Sequence, residues 1–383
     1  MTGPLDGLLV ADFSRVLAGP YATMLLADLG ASVVKVEGPP TGDDTRAWTP
    51  PDRDGVSTYY LGVNRGKRSI VLDLGDQADL ALARELAGRA DVLIENFKPR
   101  GMAKFGLDFA SVQRDNPGIV YASISGFGSG AGADLPGYDV VVQAMSGLMS
   151  ITGSADGPGY RAGISVFDVM AGNHAVIGIL AALRHRDATG EGQHVEVNLL
   201  SSALTGLVNH SSAWVAGGVV PHRMGNAHPS VFPYEPFATA DHELIVIAAN
   251  DRQFQRLCAA LGIPEVAEDA RFLHNGDRTS HRDELKPLLE EALAGRTADE
   301  WFALLTEAGI PCGPINSIDG GFAAAERLGL EPVVEVGEGD RALPTTRHPI
   351  RFSGTPVTYA LPPPELDEHG AELREWLGGG GDD

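Results

Sequence analysis

The stretch GISVFDVMAGNHAVIGILAAL, residues 163–183, constrains the fold more than any other. It reads as one long helix with Asp168 near its start. Ala171, Gly172, Ala175, Gly178, Ala181 and Ala182 leave room for neighbouring backbone. Val176, Ile177, Ile179, Leu180 and Leu183 make the helix apolar nearly all round, which predicts burial. A membrane span is the alternative, but Asp168, Asn173 and His174 interrupt the run and leave it too short. Asp168 has two compatible readings. An aspartate at a helix start caps orphan N–H groups. The same positive helix end keeps a carboxylate ionised, and an ionised carboxylate in apolar surroundings is what covalent catalysis by aspartate requires.

With 383 residues the chain is long enough for a large core and for two domains. Its formal charge of −22 argues against nucleic acid or an anionic membrane surface as a partner, and makes any basic cluster stand out. Cys258 and Cys312 form no disulfide framework and fit a reducing cytosol, so a cytoplasmic location is expected. MTGPLDGLLV lacks the basic n-region of a signal peptide. No Cys/His spacing suggests structural zinc, so no metal site is expected.

Residues 8–13 (LLVADF) and 33–37 (VVKVE) read as strands on either side of a helix over 19–30. This β-α-β unit implies an α/β fold with a parallel, Rossmann-like sheet. The first strand-to-helix turn is DFSRVLAGP, without GxGxxG, which argues against a nicotinamide dehydrogenase. Further strands are expected within 64–74 and at 92–95, 119–125 and 194–198, with helices at 80–89, 137–149 and 199–216. From about 226 the texture changes. GNAHPSVFPYEPFATADHELIVIAAND predicts a hairpin around Asp241 and His242, then helices near 251–261, 280–294 and 297–309. The expected layout is a large domain over 1–225, a smaller α+β domain over 226–330, and a segment over 331–383 that returns to the large domain. A helix over 366–377 and a disordered GGGGDD end complete it.

Two basic clusters touch strand ends: Arg65, Lys67 and Arg68, and then Lys98, Arg100 and Lys104. Ligands of open α/β sheets bind at strand carboxyl ends, and the second cluster follows its strand directly. Such residues suit a polyphosphate through charge-assisted bonds. Scattered surface charge is the alternative.

Seven segments, in order, resemble the class III CoA-transferase family, the superfamily of formyl-CoA transferase and alpha-methylacyl-CoA racemase. They are DFSRVLAGPYATMLLADLGASVVKVEGPPTGDDTR (12–46), NRGKRSIVLDL (64–74), DVLIENFKPRGMAKFGLD (91–108), GYDVVVQAMSG (137–147), the Asp168 helix, TGEGQHVEVNLLSSAL (189–204) and RMGNAHPSVFPYEPF (223–237). The resemblance spans nearly the whole chain. It implies a Rossmann-like large domain built from both chain ends, a small α+β domain, and an interlocked homodimer. It implies acyl-CoA and carboxylic acid substrates, with coenzyme A a co-substrate and no tightly bound cofactor. Positions matching the family's CoA site are Arg15, Val16, Leu72, Asp73, Leu74, Asn96, Phe97, Lys98 and Lys104, with Tyr138 near the thioester end. Lys104 stands where the family often has arginine, so a point charge replaces a fork. Gly38 stands where some relatives carry an arginine that meets CoA.

The matching aspartate is the family's nucleophile, so the resemblance gives Asp168 an aspartyl anhydride and then an aspartyl-CoA thioester. Gly225 and Asn226 are candidates to shield these intermediates from water. The racemase branch uses a histidine in a GHD motif, replaced here by Gly137-Tyr138-Asp139. Tyrosine, with a pKa of about 10, is a poor base at neutral pH, which favours transfer over racemisation. A protein that only bound CoA would not need Asp168. His174 lies on a different helix face from Asp168 and is expected to be a core histidine. RMGNAHPSVFPYEPF resembles the branch that uses succinyl-CoA or other dicarboxylyl-CoA donors, and Arg46 or Arg223 would meet the distal carboxylate.

Overall fold

The computed structural model describes residues 3–379. The expectation for the GGGGDD end falls, from residue 380 on, outside them. The chain divides into two compact units. One holds Met1–Leu148, Arg161–Val220 and Glu331–Asp383; the other holds Met149–Tyr160 and Pro221–Leu330. The segment 149–160, read from sequence as part of the large domain, belongs to the second unit.

Six strands of the first unit form its main sheet: β1 (Leu9–Asp12), β2 (Ser32–Glu37), β3 (Lys67–Val71), β4 (Val92–Glu95), β5 (Val120–Ser125) and β6 (Gln193–Asn198). Their spatial order is β3-β2-β1-β4-β5-β6, and every pairing is parallel. Side chains alternate between two cores. Val10, Val33, Ile94 and Val120 enter one; Ala11, Val34, Leu93 and Tyr121 enter the other. Burial on both faces explains the near-continuous apolar runs. Strand order reverses between β1 and β4. The crevice beyond their carboxyl ends is therefore the switch point at which such sheets bind ligands.

Helices α1 (Ala18–Asp28), α2 (Gln77–Arg89), α3 (Asp139–Met145), α4 (Val166–Thr189), α5 (Leu199–Gly206) and α6 (Val208–Val215) belong to this unit. The helix expected over 199–216 breaks at Val208, where φ is +40°. Helix α4 is the apolar helix of the sequence, beginning later and running further. A Cβ on Gly172 would lie 2.8 Å from the Ala18 carbonyl oxygen, so the close approach of α1 needs glycine there. Burial is one-sided rather than complete. Phe167, Ala171, Ala175, Ile179 and Ala182 enter the core, while Ile177 is 64% exposed. By length and composition α4 could cross a membrane, contrary to the sequence reading of too short a run. Its apolar face instead packs into this core.

In the second unit, β7 (Tyr234–Ala238) and β8 (Glu243–Ile247) form the expected hairpin. Cys312–Pro314 adds a third antiparallel strand, β9. Helices α7 (Asp251–Leu261), α8 (Arg282–Leu293) and α9 (Ala298–Glu307) bring Leu257, Leu289 and Trp301 into one core with Phe232 and Phe237.

Candidate active site

Two turns at the switch point make the site. One links β1 to α1 through Ser14-Arg15-Val16; the other leaves β4 through Asn96-Phe97-Lys98. Asn96 ties them together. The Arg15 N–H donates to Asn96 Oδ1 at 3.0 Å, and Asn96 Nδ2 donates to the Arg15 carbonyl at 2.7 Å. A cavity opens between the turns, lined by Arg15, Val16, Asn96, Lys98, Tyr138 and Asp168, with Phe97 in the same wall. Gly126 and Gly137 close the opposite side. A Cβ on Gly126 would lie 2.6 Å from the Gly137 Cα, so the glycine-rich loop and the GYD turn meet only as bare backbone.

Asp168 stands one turn into α4, and Ser165 occupies the cap position. The N–H groups of Phe167 and Asp168 donate to Asp139 Oδ1 at 2.7 and 3.3 Å. The capping role read for Asp168 thus belongs to Asp139, whose other oxygen accepts from Gln143 Nε2. Burial first, and the Asp139 charge second, push the Asp168 carboxyl up to about 7. The expectation that the helix end keeps it ionised is corrected. A helix terminus contributes about 0.3–1 kcal/mol, less than the roughly 1.4 kcal/mol of one pKa unit, and Asp139 already occupies that end. Tyr59 completes the surroundings. Its hydroxyl is raised by burial, bonded to Ser165, and feels the charges of Asp168 and Asp139.

Seven of the residues singled out from sequence share this cavity: Arg15, Val16, Asn96, Phe97, Lys98, Tyr138 and Asp168. Others lie elsewhere. Leu72, Asp73 and Leu74 follow β3, the edge strand, about 10 Å from β1 at the usual strand spacing. Leu72 is buried in the core, and the Asp73 carboxylate accepts from Gly75 N–H. Lys104 holds its Nζ 4.5 Å over the Phe105 ring, outside the cavity lining. Gly225 and Asn226 belong to the second unit, where Gly225 is left-handed at φ +63° and donates its N–H to Gly153.

The first basic cluster is structural, not a ligand site. It enters β3 at its amino end. Arg65 forks onto Asp28 at 2.9 and 2.6 Å. Lys67, fully buried, donates to Asp12, Asn64 and the Pro20 carbonyl, and Arg68 pairs with Glu372. Arg46 is also committed: it forks onto Glu37, bonds the Tyr60 hydroxyl and lies 3.9 Å over the Tyr60 ring. That removes it as a partner for a substrate carboxylate. Arg223 keeps a buried Nε without a hydrogen-bond partner, while its Nη1 donates to the Ser150 carbonyl. His174 is half-buried and bonded to Ser202 at 2.9 Å rather than enclosed in the core.

Sequence reasoning missed Tyr59, Asp139 and Gln143 as neighbours of Asp168. Tyr59 lies in STYYLG, which carries no motif. Asp139 and Gln143 did carry a signal, a polar pair at i, i+4 on an otherwise apolar helix. A second cavity, sharing Phe97 and Lys98, is lined by Glu95, Ser123 and His194. Burial pushes the Glu95 carboxyl up to about 7, against hydrogen bonds from Ser123 and the Phe97 N–H.

Comparison with known proteins agrees with this geometry. The sequence model of CoA-transferase family III matches residues 5–370. Succinate–glutarate CoA-transferase of Agrobacterium fabrum is 46% identical, over 97% of this chain and 94% of its own. Acetyl-CoA:oxalate CoA-transferase of Acetobacter aceti is 40% identical over 97% and 95%, and succinyl-CoA:glutarate CoA-transferase of mouse is 39% identical over 96% and 84%. The crystal structure of a CAIB/BAIF family protein from Brucella suis superposes with a TM-score of 0.87 at 40% identity, covering 98% of this chain and 100% of that one. The parallel sheet with its switch-point cavity, and a match that runs almost end to end, place the chain in CoA-transferase family III, as an enzyme that transfers CoA.

Proposed function

We propose that the enzyme moves CoA from succinyl-CoA, or another dicarboxylyl-CoA, to a carboxylic acid acceptor through covalent intermediates on Asp168. One observation carries the reading: a half-buried Asp168 carboxylate, raised by burial and Asp139 with no cation among the causes, lining the switch-point cavity together with Tyr138. An Asp168 oxygen attacks the donor thioester carbonyl. The C–S bond breaks, CoA leaves as thiolate, and a mixed anhydride remains. The thiolate attacks the aspartyl carbonyl, the anhydride C–O bond breaks, and the donor acid departs from an aspartyl-CoA thioester. The acceptor carboxylate runs the same exchanges in reverse and regenerates Asp168. Four easier exchanges replace one hard transfer, and N–H groups stabilise each oxyanion.

Arg15, Val16, Asn96, Phe97 and Lys98 hold the ADP end of CoA, with Leu72, Asp73, Leu74 and Lys104 towards the adenosine. Gly225 and Asn226 shield the intermediates, and Arg223 meets the distal carboxylate. The names of the relatives, which speak of succinate, glutarate and oxalate, support a dicarboxylic substrate class. Tyrosine at position 138, in place of histidine, supports transfer over racemisation. The working form is an interlocked homodimer in the cytoplasm. Its large domain comes from both chain ends, and CoA enters as co-substrate without a tightly bound cofactor.

Intact-protein mass spectrometry after mixing with succinyl-CoA tests this. The expected product is an adduct of CoA less water, removed by hydroxylamine and absent from Asp168→Ala. Absence of the adduct with several acyl-CoA donors, together with α-proton exchange in deuterated water, would overturn transfer in favour of racemisation.

A further inference from the structure

Val16 has φ +70°. A β-branched residue rarely occupies the left-handed region, because its Cβ crowds the neighbouring carbonyl. Such a conformation persists only where its surroundings over-determine it, and here they do. The Val16 N–H reaches both oxygens of Asp43 at 3.2 Å. Asp43 is itself buried and fixed: Lys35 Nζ donates to Oδ2 at 2.8 Å, and the Thr45 N–H and hydroxyl donate to Oδ1. The same Nζ donates to the Ser14 carbonyl at 3.0 Å. One enclosed ion pair therefore grips both ends of the Ser14-Arg15-Val16 turn, while Asn96 takes both backbone groups of Arg15 in the middle. The Ser14 N–H goes to Asp12. Five of the turn's six backbone polar groups are thus taken, all three N–H donors among them, so the turn offers an anionic ligand its side chains. Arg15 rests on exposed Asp44 at 3.1 Å, a partner that a ligand phosphate can replace.

We propose that Asp43, clamped by Lys35, is a positioning residue for the CoA cradle: it holds the β1–α1 turn in a left-handed bend that lines the cavity with Arg15, Val16 and Leu17. This rests on the CoA reading of the cavity given above. A turn ordered before binding lowers the ordering cost of association. Loss of the clamp lets Val16 relax to negative φ and moves Arg15, which weakens ground state and transition state alike. Such a loss appears in KM rather than kcat. Glycine adopts the left-handed conformation without steric cost, so Val16→Gly relieves the strain that Asp43 restrains.

The test compares wild type, Asp43→Ala and the Asp43→Ala/Val16→Gly pair as full-length enzymes, with succinyl-CoA as donor and glutarate as acceptor. Asp43→Ala is expected to raise the donor KM about tenfold, with kcat within about threefold and the acceptor KM unmoved. The added Val16→Gly is expected to lower the donor KM again, by at least about threefold from that of Asp43→Ala, but short of the wild-type value because the Val16 side chain leaves the cavity wall. A purely structural role would give no such recovery. An unchanged donor KM in Asp43→Ala, or no recovery in the double variant, overturns the proposal. If Asp43→Ala yields no folded enzyme, Asp43→Asn replaces it in the same comparison, since an amide keeps an acceptor but cannot neutralise Lys35. Wild-type enzyme that fails to bind free CoA by calorimetry overturns the CoA reading and the cradle with it. Wild-type binding with an unaffected variant overturns the positioning role alone.

Discussion

Asp43, buried, and Asp168, half-buried, are both aspartates of the first unit, and their carboxyls are driven in opposite directions. Burial pushes Asp43 up, but the Lys35 charge, the Lys35 hydrogen bond and two bonds from Thr45 more than offset it, and the group sits below the ordinary carboxylate range. Burial pushes Asp168 up as well, and its charged neighbour, Asp139, adds to the shift. Depth cannot be the cause, since the more buried residue is the one whose carboxyl is lowered; the difference is company. Around Asp43 every charge has an opposite: Lys35 with Asp43, Lys67 with Asp12, Arg46 with Glu37. Those side chains are committed to fixing a turn. Asp168 has no such commitment, and a carboxylate left in that state is available for chemistry.

Removing Asp168 has the largest expected effect. Asp168→Asn should lower kcat by roughly 10⁴-fold or more, as loss of a covalent nucleophile does, in a steady-state assay of CoA transfer. Residual activity within tenfold of wild type would assign the chemistry elsewhere. Breaking the other side comes next. Lys35→Met leaves Asp43 and Asp12 short of a cation and should cost about 3–5 kcal/mol, the usual effect of orphaning a buried charge, measured by urea unfolding at fixed protein concentration. A loss below about 1 kcal/mol would mean the network tolerates uncompensated charge.

The pH dependence separates the two aspartates further. Attack needs ionised Asp168, so kcat/KM should rise with pH through an acid limb near 7, the value to which its carboxyl is raised. Asp139→Asn keeps an oxygen for the Phe167 N–H but removes the neighbouring charge, so the limb should move to lower pH. Glu95 also titrates at about 7, so Glu95→Gln is the control: a limb that disappears in that variant belongs to Glu95. Stability carries the opposite sign. A carboxyl raised in the folded state keeps its proton while the unfolded chain loses it, so stability falls as pH climbs from the ordinary value of 3.8 to about 7. Asp168→Asn should therefore stabilise the protein by up to about 4 kcal/mol more at pH 8 than at pH 4, read from unfolding at both. A pH-independent difference would show that burial does not shift this group.

Much of this was legible in the sequence. The β-α-β rhythm forecast strands at 92–95 and 119–125, and the structure has Val92–Glu95 and Val120–Ser125. Period and turn residues are local properties, and so are visible one segment at a time. The seven residues that share the cavity were legible through motif resemblance. Company was not legible. Lys67 and Lys98 look alike in a string, yet one is sealed against Asp12 and the other faces the cavity. Arg46 looked available until the fold brought Glu37 and Tyr60 to it. The left-handed backbone of Val16 had no sequence signal, because a β-branched residue argues against it.

The smallest expected effect sharpens the contrast best. Arg15 and Asp44 form an ion pair at 3.1 Å, close to the 2.8 Å of Lys35 and Asp43, but their side chains are 62% and 49% exposed. Water and salt screen such a pair, and exposed pairs contribute little. Asp44→Asn should thus change unfolding stability by no more than about 0.5 kcal/mol. The same change frees the Arg15 guanidinium, so the donor KM should fall slightly, by up to about threefold at low salt, and the gain should fade as ionic strength rises. A stability loss above about 1 kcal/mol would put Asp44 in the same structural class as Asp43. A raised donor KM would mean that Asp44 aims Arg15 at the ligand rather than competing for it.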